Sequence, residues 1–167
     1  MADALTIELA GETVELLAGR ALYWPARARL LIADLHLGKE DSFRRAGIAV
    51  PLGSTSADLA RLAGLLARCR ARALWILGDM LHGPLVDTSW RGAWQAFQAA
   101  HPELEVVLVR GNHDRSIAAA DLAIRIVTDP VADGPFLLCH DVPDDRTAAN
   151  GRVAIGGHVH PVVRVPG

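Results

Sequence analysis

Leu30-Leu31-Ile32-Ala33-Asp34-Leu35-His36 is a short apolar run that ends in a carboxylate and an imidazole two residues apart. Short apolar runs bounded by glycine and polar residues read as buried strands. The arrangement recurs along the chain. Ala73-Leu74-Trp75-Ile76-Leu77 runs into Gly78-Asp79, and Val106-Val107-Leu108-Val109 into Arg110-Gly111-Asn112-His113-Asp114. Phe136-Leu137-Leu138-Cys139 runs into His140, and Val153-Ala154-Ile155 into Gly156-Gly157-His158-Val159-His160. Ligand sites of layered α/β folds collect at the carboxyl ends of strands. Five strands are therefore expected to deliver imidazoles, carboxylates and one amide to a single place.

Outward from these runs the pattern stays regular. Leu5–Leu9 and Thr13–Leu17 alternate apolar with polar around Gly11, which predicts a hairpin, and Ala21–Trp24 adds a strand. Asp58–Arg70 carries leucines at 59, 62, 65 and 66, a helical stripe with arginines opposite. Ser89–Ala100 sets Trp90, Trp94 and Phe97 at helical spacing, which reads as core packing. Ile124–Val127 is a further strand. Strand–helix alternation in the first half predicts parallel pairing with crossovers, and the strand-rich second half predicts antiparallel additions. The fold class that follows is α/β, two packed mixed β-sheets flanked by helices.

The chain has 167 residues, which suits one domain over 1–167 with a real core. Gly167 follows the last candidate ligand closely, and a further strand would normally cover that edge, so a shortened C-terminus is expected. The net charge of −2 argues against a strongly basic nucleic-acid-binding domain. It does not exclude a nuclease, because bound metal ions add local positive charge. Cys69 and Cys139 form no metal-type pair and read as free thiols of a reducing compartment. Met1-Ala2-Asp3-Ala4 lacks the basic start and apolar stretch of a signal peptide, and no run nears the ~18 apolar residues of a membrane span. A cytoplasmic protein without membrane partners is the expectation.

The polar residues define the chemistry. Asp34 and His36, two apart in an extended chain, point the same way and can grip one ion, and His158 and His160 repeat the spacing. Asp79 follows a glycine that permits close approach, and its carboxylate can bridge two ions. Asn112 offers a carbonyl oxygen and His140 a further nitrogen. These candidates are too many for one tetrahedral zinc and suit two ions ~3.5–4 Å apart. A nitrogen and oxygen set without thiolate selects manganese, iron, zinc or cobalt over calcium, with manganese the first candidate. Two such ions favour phosphate ester hydrolysis, where negative charge crowds the phosphorus. His113, beside Asn112, is the expected acid for the leaving oxygen, with Asp114 orienting it and favouring its protonated form.

The ordered blocks Asp34-Leu35-His36, Gly78-Asp79, Gly111-Asn112-His113-Asp114, His140 and Gly157-His158-Val159-His160 resemble the calcineurin-like metallophosphoesterase family. The resemblance covers most of the chain and implies that family's four-layer sandwich of two mixed sheets and outer helices. It implies Asp34, His36, Asp79 and His160 on one metal, and Asp79, Asn112, His140 and His158 on the other. His113 becomes the catalytic acid, with Asp114 behind it. A closer resemblance rests on Asp34-Leu35-His36-Leu37-Gly38-Lys39-Glu40, Ser42-Phe43-Arg44-Arg45-Ala46-Gly47, Pro51-Leu52-Gly53 and Gly78-Asp79-Met80-Leu81-His82. It points to bacterial metallophosphoesterases associated with a DNA ligase and a helicase in DNA-damage operons. A phosphodiesterase, with a nuclease on DNA ends and ligase or helicase repair partners, is what that resemblance implies.

Other residues keep two readings. His82 either lines the site or hydrogen-bonds a ligand. Lys39, Arg44 and Arg45, on a loop or short helix, either contact phosphate or form a solvated face. Arg110 and Arg115 contact phosphate or pair structurally, and His101 reads as surface. A hydrolase of a small phosphorylated metabolite or nucleotide is the alternative activity, favoured by the modest charge and single lysine. A non-catalytic protein-binding scaffold would be expected to lack ligands or the acid, and all are present.

Overall fold

The computed structural model describes residues 4–50, 53–82, 89–114, 122–128, 130–144 and 150–159. A hairpin opens the chain, with β1 (Ala4–Leu9) antiparallel to β2 (Glu12–Leu17). Ala10 and Gly11 both hold positive φ, 52° and 80°, the conformation that lets a two-residue loop follow the strand twist. β3 (Ala21–Trp24) and β4 (Arg29–Ile32) continue the antiparallel run. From β4 onward the pairing turns parallel through β5 (Ala73–Leu77), β6 (Glu105–Val109) and β7 (Arg125–Val127). Among the described residues the large sheet thus has seven strands in chain order.

Two helices lie in the crossovers: α2 (Ser54–Cys69) between β4 and β5, and α3 (Ser89–Ala100) between β5 and β6. A short α1 (Lys39–Arg45) precedes α2. The parallel strands show why both sheet faces are covered. Leu30, Ile32, Leu74, Ile76 and Leu108 join the core with α2 leucines and with Trp90, Trp94 and Phe97. The alternate residues Leu31, Trp75, Leu77, Val107 and Val109 pack with Phe136 and Leu138 of a second sheet. That period of two is the pleat itself. Leu62, fully buried in α2, stabilises the helix–sheet layer by roughly 1.5–3 kcal/mol relative to exposure.

Among the described residues the second sheet has three strands, β8 (Val131–Asp133), β9 (Phe136–Cys139) and β10 (Val153–Gly156), with β9 between the other two. β8 is antiparallel to β9, but β10 runs parallel to it. The expectation of antiparallel additions throughout the second half is corrected on two counts, since β7 also pairs in parallel with β6. Parallel β9 and β10 bring both their carboxyl ends to the same side. Arg29 ties the sheets together, pairing with Asp133 and lying 4.2 Å over the Trp75 ring. The described residues build helix, seven-stranded and three-stranded layers. Helices outside the small sheet are not among them.

Local differences from the sequence reading are small. β8 was not expected, α1 is a helix, and α2 begins at Ser54 rather than Asp58. Glu40 Oε2 accepts from Ser54 N and Oγ, both at 3.0 Å, and so caps the earlier start. Among the described residues no helix is long and apolar enough to cross a membrane.

Candidate metal centre

The carboxyl ends of β4, β5, β6, β9 and β10 meet where the two sheets abut. Beyond β4 and β5 the chains stay in parallel register. Asp34 N donates to Gly78 O at 3.2 Å, His36 N to Asp79 O at 3.0 Å and Leu37 N to Met80 O at 2.8 Å. Asp34, His36 and Asp79 nevertheless hold φ of 52°, 48° and 52°. Left-handed backbone at non-glycine residues costs roughly 1–3 kcal/mol each and clusters at functional sites. The expected extended geometry of Asp34 and His36 is therefore corrected. Both residues sit at left-handed bends, locked by bonds to the neighbouring segment.

These bends gather two sets of donors. Ligand atoms of Asp34, His36 and Asp79 lie within 4.8 Å of one another, and so do those of Asp79, His140 and His158. Asp79, nearly fully buried, belongs to both. His158 also has positive φ, 60°. His160 lies outside the described residues, as do Arg115, Pro51 and Leu52.

His140 Nδ1 sits 3.1 Å from Leu77 O, and its Nε2 faces Asn112 Oδ1 at 2.8 Å and Asp79 Oδ1 at 3.4 Å. Electron-pair donors crowded this closely suit a shared cation. Gly78 makes the approach possible: a Cβ there would lie 2.0 Å from His140 Nδ1. The glycine before Asp79 thus makes room for an imidazole. At Gly111 a Cβ would lie 2.5 Å from Asp79 Oδ1.

The donor set fits divalent metal. His36 Nδ1 is buried and has no hydrogen-bond partner among the described residues. Burial first, and then the Lys39 ammonium, push the His36 pKa below its ordinary value, against the nearby Asp79 and Asp34 carboxylates. Neutral imidazole is the form that binds metal. Burial lowers His82 similarly, aided by His36 and Lys39.

His113 stands at the mouth. Its backbone N–H donates to Asp79 Oδ1 at 3.2 Å, and its Nε2 lies 3.9 Å from Asp79 Oδ2. The side chain is 42% exposed, open to a substrate. His82 lines the site: its ring stacks on His113 at 5.9 Å and meets His36 edge-on at 5.3 Å.

Asp114 anchors backbone beside the centre. It is wholly buried, and its carboxylate accepts from Gly111 N at 3.0 Å and Leu81 N at 3.3 Å. Burial raises its pKa while those N–H groups pull it down. It pins the loop after β6, which carries Asn112 and His113, to the segment after β5.

Lys39 is exposed beside the centre, its Nζ 5.9 Å from the Phe43 ring. Arg44 is drawn into an ion pair with Asp41 on its own helix, and Arg45 is exposed. Arg110 Nη1 donates to Asp114 O at 3.4 Å, a structural contact. His101 packs on the end of α3, its Nδ1 2.7 Å from Phe97 O. Cys69 and Cys139 are free thiols. A cleft of about 370 Å³ opens from Asp34 and His36 between α1, α2 and the β2–β3 turn. Arg20 on that turn and Phe43 on α1 line it. Nothing near Arg20 in the chain signals this, because the turn meets the site only through the antiparallel strands.

Two sheets with a donor cluster at their shared carboxyl edge define a metal-dependent phosphoesterase. The chain belongs to the calcineurin-like phosphoesterase family, whose model matches residues 29–146. It is similar to nuclease MPE of Pseudomonas putida, with 40% identity and a TM-score of 0.81 over 95% of this chain and 74% of that one. A protein of unknown function from Aquifex aeolicus, AQ665, shares the fold at 19% identity and a TM-score of 0.54, with 80% of each chain covered. Among curated proteins none is significantly similar.

Proposed function

We propose that the chain, as one catalytic unit over residues 1–167, is a two-metal phosphodiesterase that cuts DNA strands. The observation that carries this is Asp79, whose buried carboxylate is shared by two donor sets beside a half-exposed His113. Asp34, His36, Asp79 and His160 would hold one ion, and Asp79, Asn112, His140 and His158 the other, with manganese the first candidate. When bound, such a pair supplies an activated water and neutralises phosphoryl charge.

The protein groups do the rest. His113 donates a proton to the leaving oxygen from the mouth of the site. The rings of His36 and His82 hold the His113 imidazole in place. Asp114 sets the loop that carries Asn112 and His113. Lys39 and the basic end of α1 contact phosphate. The similarity to a Pseudomonas nuclease supports a nucleic acid as substrate, and the sequence blocks support DNA and membership of the ligase-associated subgroup, with ligase or helicase partners.

A small phosphorylated metabolite or nucleotide is the second reading, favoured by a net charge of −2 and a single lysine. Binding of DNA should weaken steeply with salt, through counterion release, while binding of a small substrate should not. The deciding experiment is hydrolysis of an aryl phosphodiester and the matching monoester by metal-stripped protein titrated with Mn²⁺, Zn²⁺ and Mg²⁺. Metal-dependent turnover of the diester with little monoester cleavage is expected. No turnover of either, with two ions bound, would reject the reading.

A further inference from the structure

The cleft beside Asp34 and His36 has walls that phosphoester chemistry alone does not require. Its volume, about 370 Å³, falls within the ~300–1,000 Å³ of small-ligand sites. Leu35, Phe43 and Val50 give it apolar walls, and Ser54 and Thr55 line it with hydroxyl groups. Its acids are already engaged: Glu40 caps α2 through Ser54, and Asp58 pairs with Arg61 at 3.1 Å. Asp34 belongs to the metal cluster. The cations are different. Lys39 is exposed at the mouth, and Arg20 has no ion-pair partner among the described residues.

Arg20 is also held in place. Its backbone has φ of 59°, a left-handed conformation uncommon for an arginine. The constraint comes from α2. Arg61 Nη1 donates to Gly19 O, and a Cβ on Gly19 would lie 2.9 Å from the Leu65 methyls. The β2–β3 turn is thus clamped against the helix, and Arg20, exposed and without an ion-pair partner among the described residues, lines the cleft.

We infer that this cleft is a nucleotide subsite. It takes the nucleotide on the Asp34–His36 side of the scissile phosphate, with its base against Phe43 and the next phosphate on Arg20. A positive group that tracks the backbone beside an aromatic face is the common means of holding a single strand without reading its sequence. A base lodged there is out of any duplex. The inference rests on the phosphodiesterase reading and adds which part of the substrate is held, and by what.

The test uses two variants, Arg20→Ala and Phe43→Leu, the second keeping apolar volume while removing the π face. Each is assayed on an aryl phosphodiester, which lacks a nucleotide, and on single-stranded oligothymidylate. Both variants should raise KM for the oligonucleotide about tenfold. Aryl diester turnover should stay within about twofold, because the transition-state contacts are untouched. Arg20→Ala should also reduce the salt slope of oligonucleotide binding by about 1. An unchanged oligonucleotide KM in both variants would overturn the subsite and leave the phosphodiesterase reading standing. So would a wild-type enzyme that cleaves the aryl diester and no oligonucleotide. Equal losses on both substrates would overturn it too, marking the residues as structural. A wild-type protein that cleaves neither substrate would bring down the reading and the subsite together.

Discussion

Gly78→Ala is the sharpest perturbation of this centre. Gly78 holds φ of 80°, and an alanine there adopts a left-handed conformation that costs about 1–2 kcal/mol. Its Cβ would also lie 2.0 Å from His140 Nδ1 and 2.4 Å from Cγ, where ordinary contact begins at 3.4 Å. The imidazole must retreat by roughly 1.4 Å, and overpacking of a buried site costs about 1–3 kcal/mol. Together the two effects destabilise by roughly 2–5 kcal/mol, which for this chain length lowers Tm by roughly 4–20 °C. The retreat breaks the His140 contact with Leu77 O and pulls Nε2 away from Asn112 and Asp79. A misplacement of ~1 Å in a catalytic constellation costs about 100-fold, so kcat/KM on an aryl phosphodiester should fall at least that far. Thermal melting, metal content after Mn²⁺ loading and turnover are measured together. Gly92→Ala is the control: it lies in α3 with nothing within 4 Å of the added methyl, and should be neutral or stabilising by about 0.5–1 kcal/mol. A Gly78→Ala protein with wild-type Tm and turnover would refute the argument that this glycine exists to admit His140.

Three further outcomes follow from the same geometry. Asp79→Asn removes the carboxylate shared by both donor sets, so activity should vanish and both ions should bind more weakly in a titration followed by calorimetry. His113→Ala should leave metal content nearly unchanged while lowering turnover by about 10²–10⁴-fold, the usual worth of a general acid; loss of metal instead would show that it is a ligand. Asp114→Asn turns an NH₂ group towards a backbone N–H of Gly111 or Leu81, leaving a buried donor unpaired at about 1–3 kcal/mol. Denaturant unfolding should register that loss, and the acidic limb of the pH–rate profile should stay where it is. A shifted limb would restore Asp114 as the partner of His113.

Much of this protein is legible residue by residue. The apolar runs ahead of Asp34, Asp79, Asn112 and His140 specify strands because burial on both faces demands unbroken hydrophobic sequence. The leucine stripe of α2 and the aromatic stripe of α3 specify helices because only a 3.6-residue period places them on one face. The polar residues that end those runs announce metal chemistry because their types and order are local facts. The tertiary structure decided what depends on neighbours distant in the chain. It set β10 parallel to β9, bent Asp34 and His36 out of the extended conformation, and gave Asp114 to two backbone amides. It also brought Arg20, from a turn before β3, to the rim of the cleft beside Asp34. Such placements follow from which segments pack together, and no local periodicity encodes the partner of a hydrogen bond or the wall of a cleft.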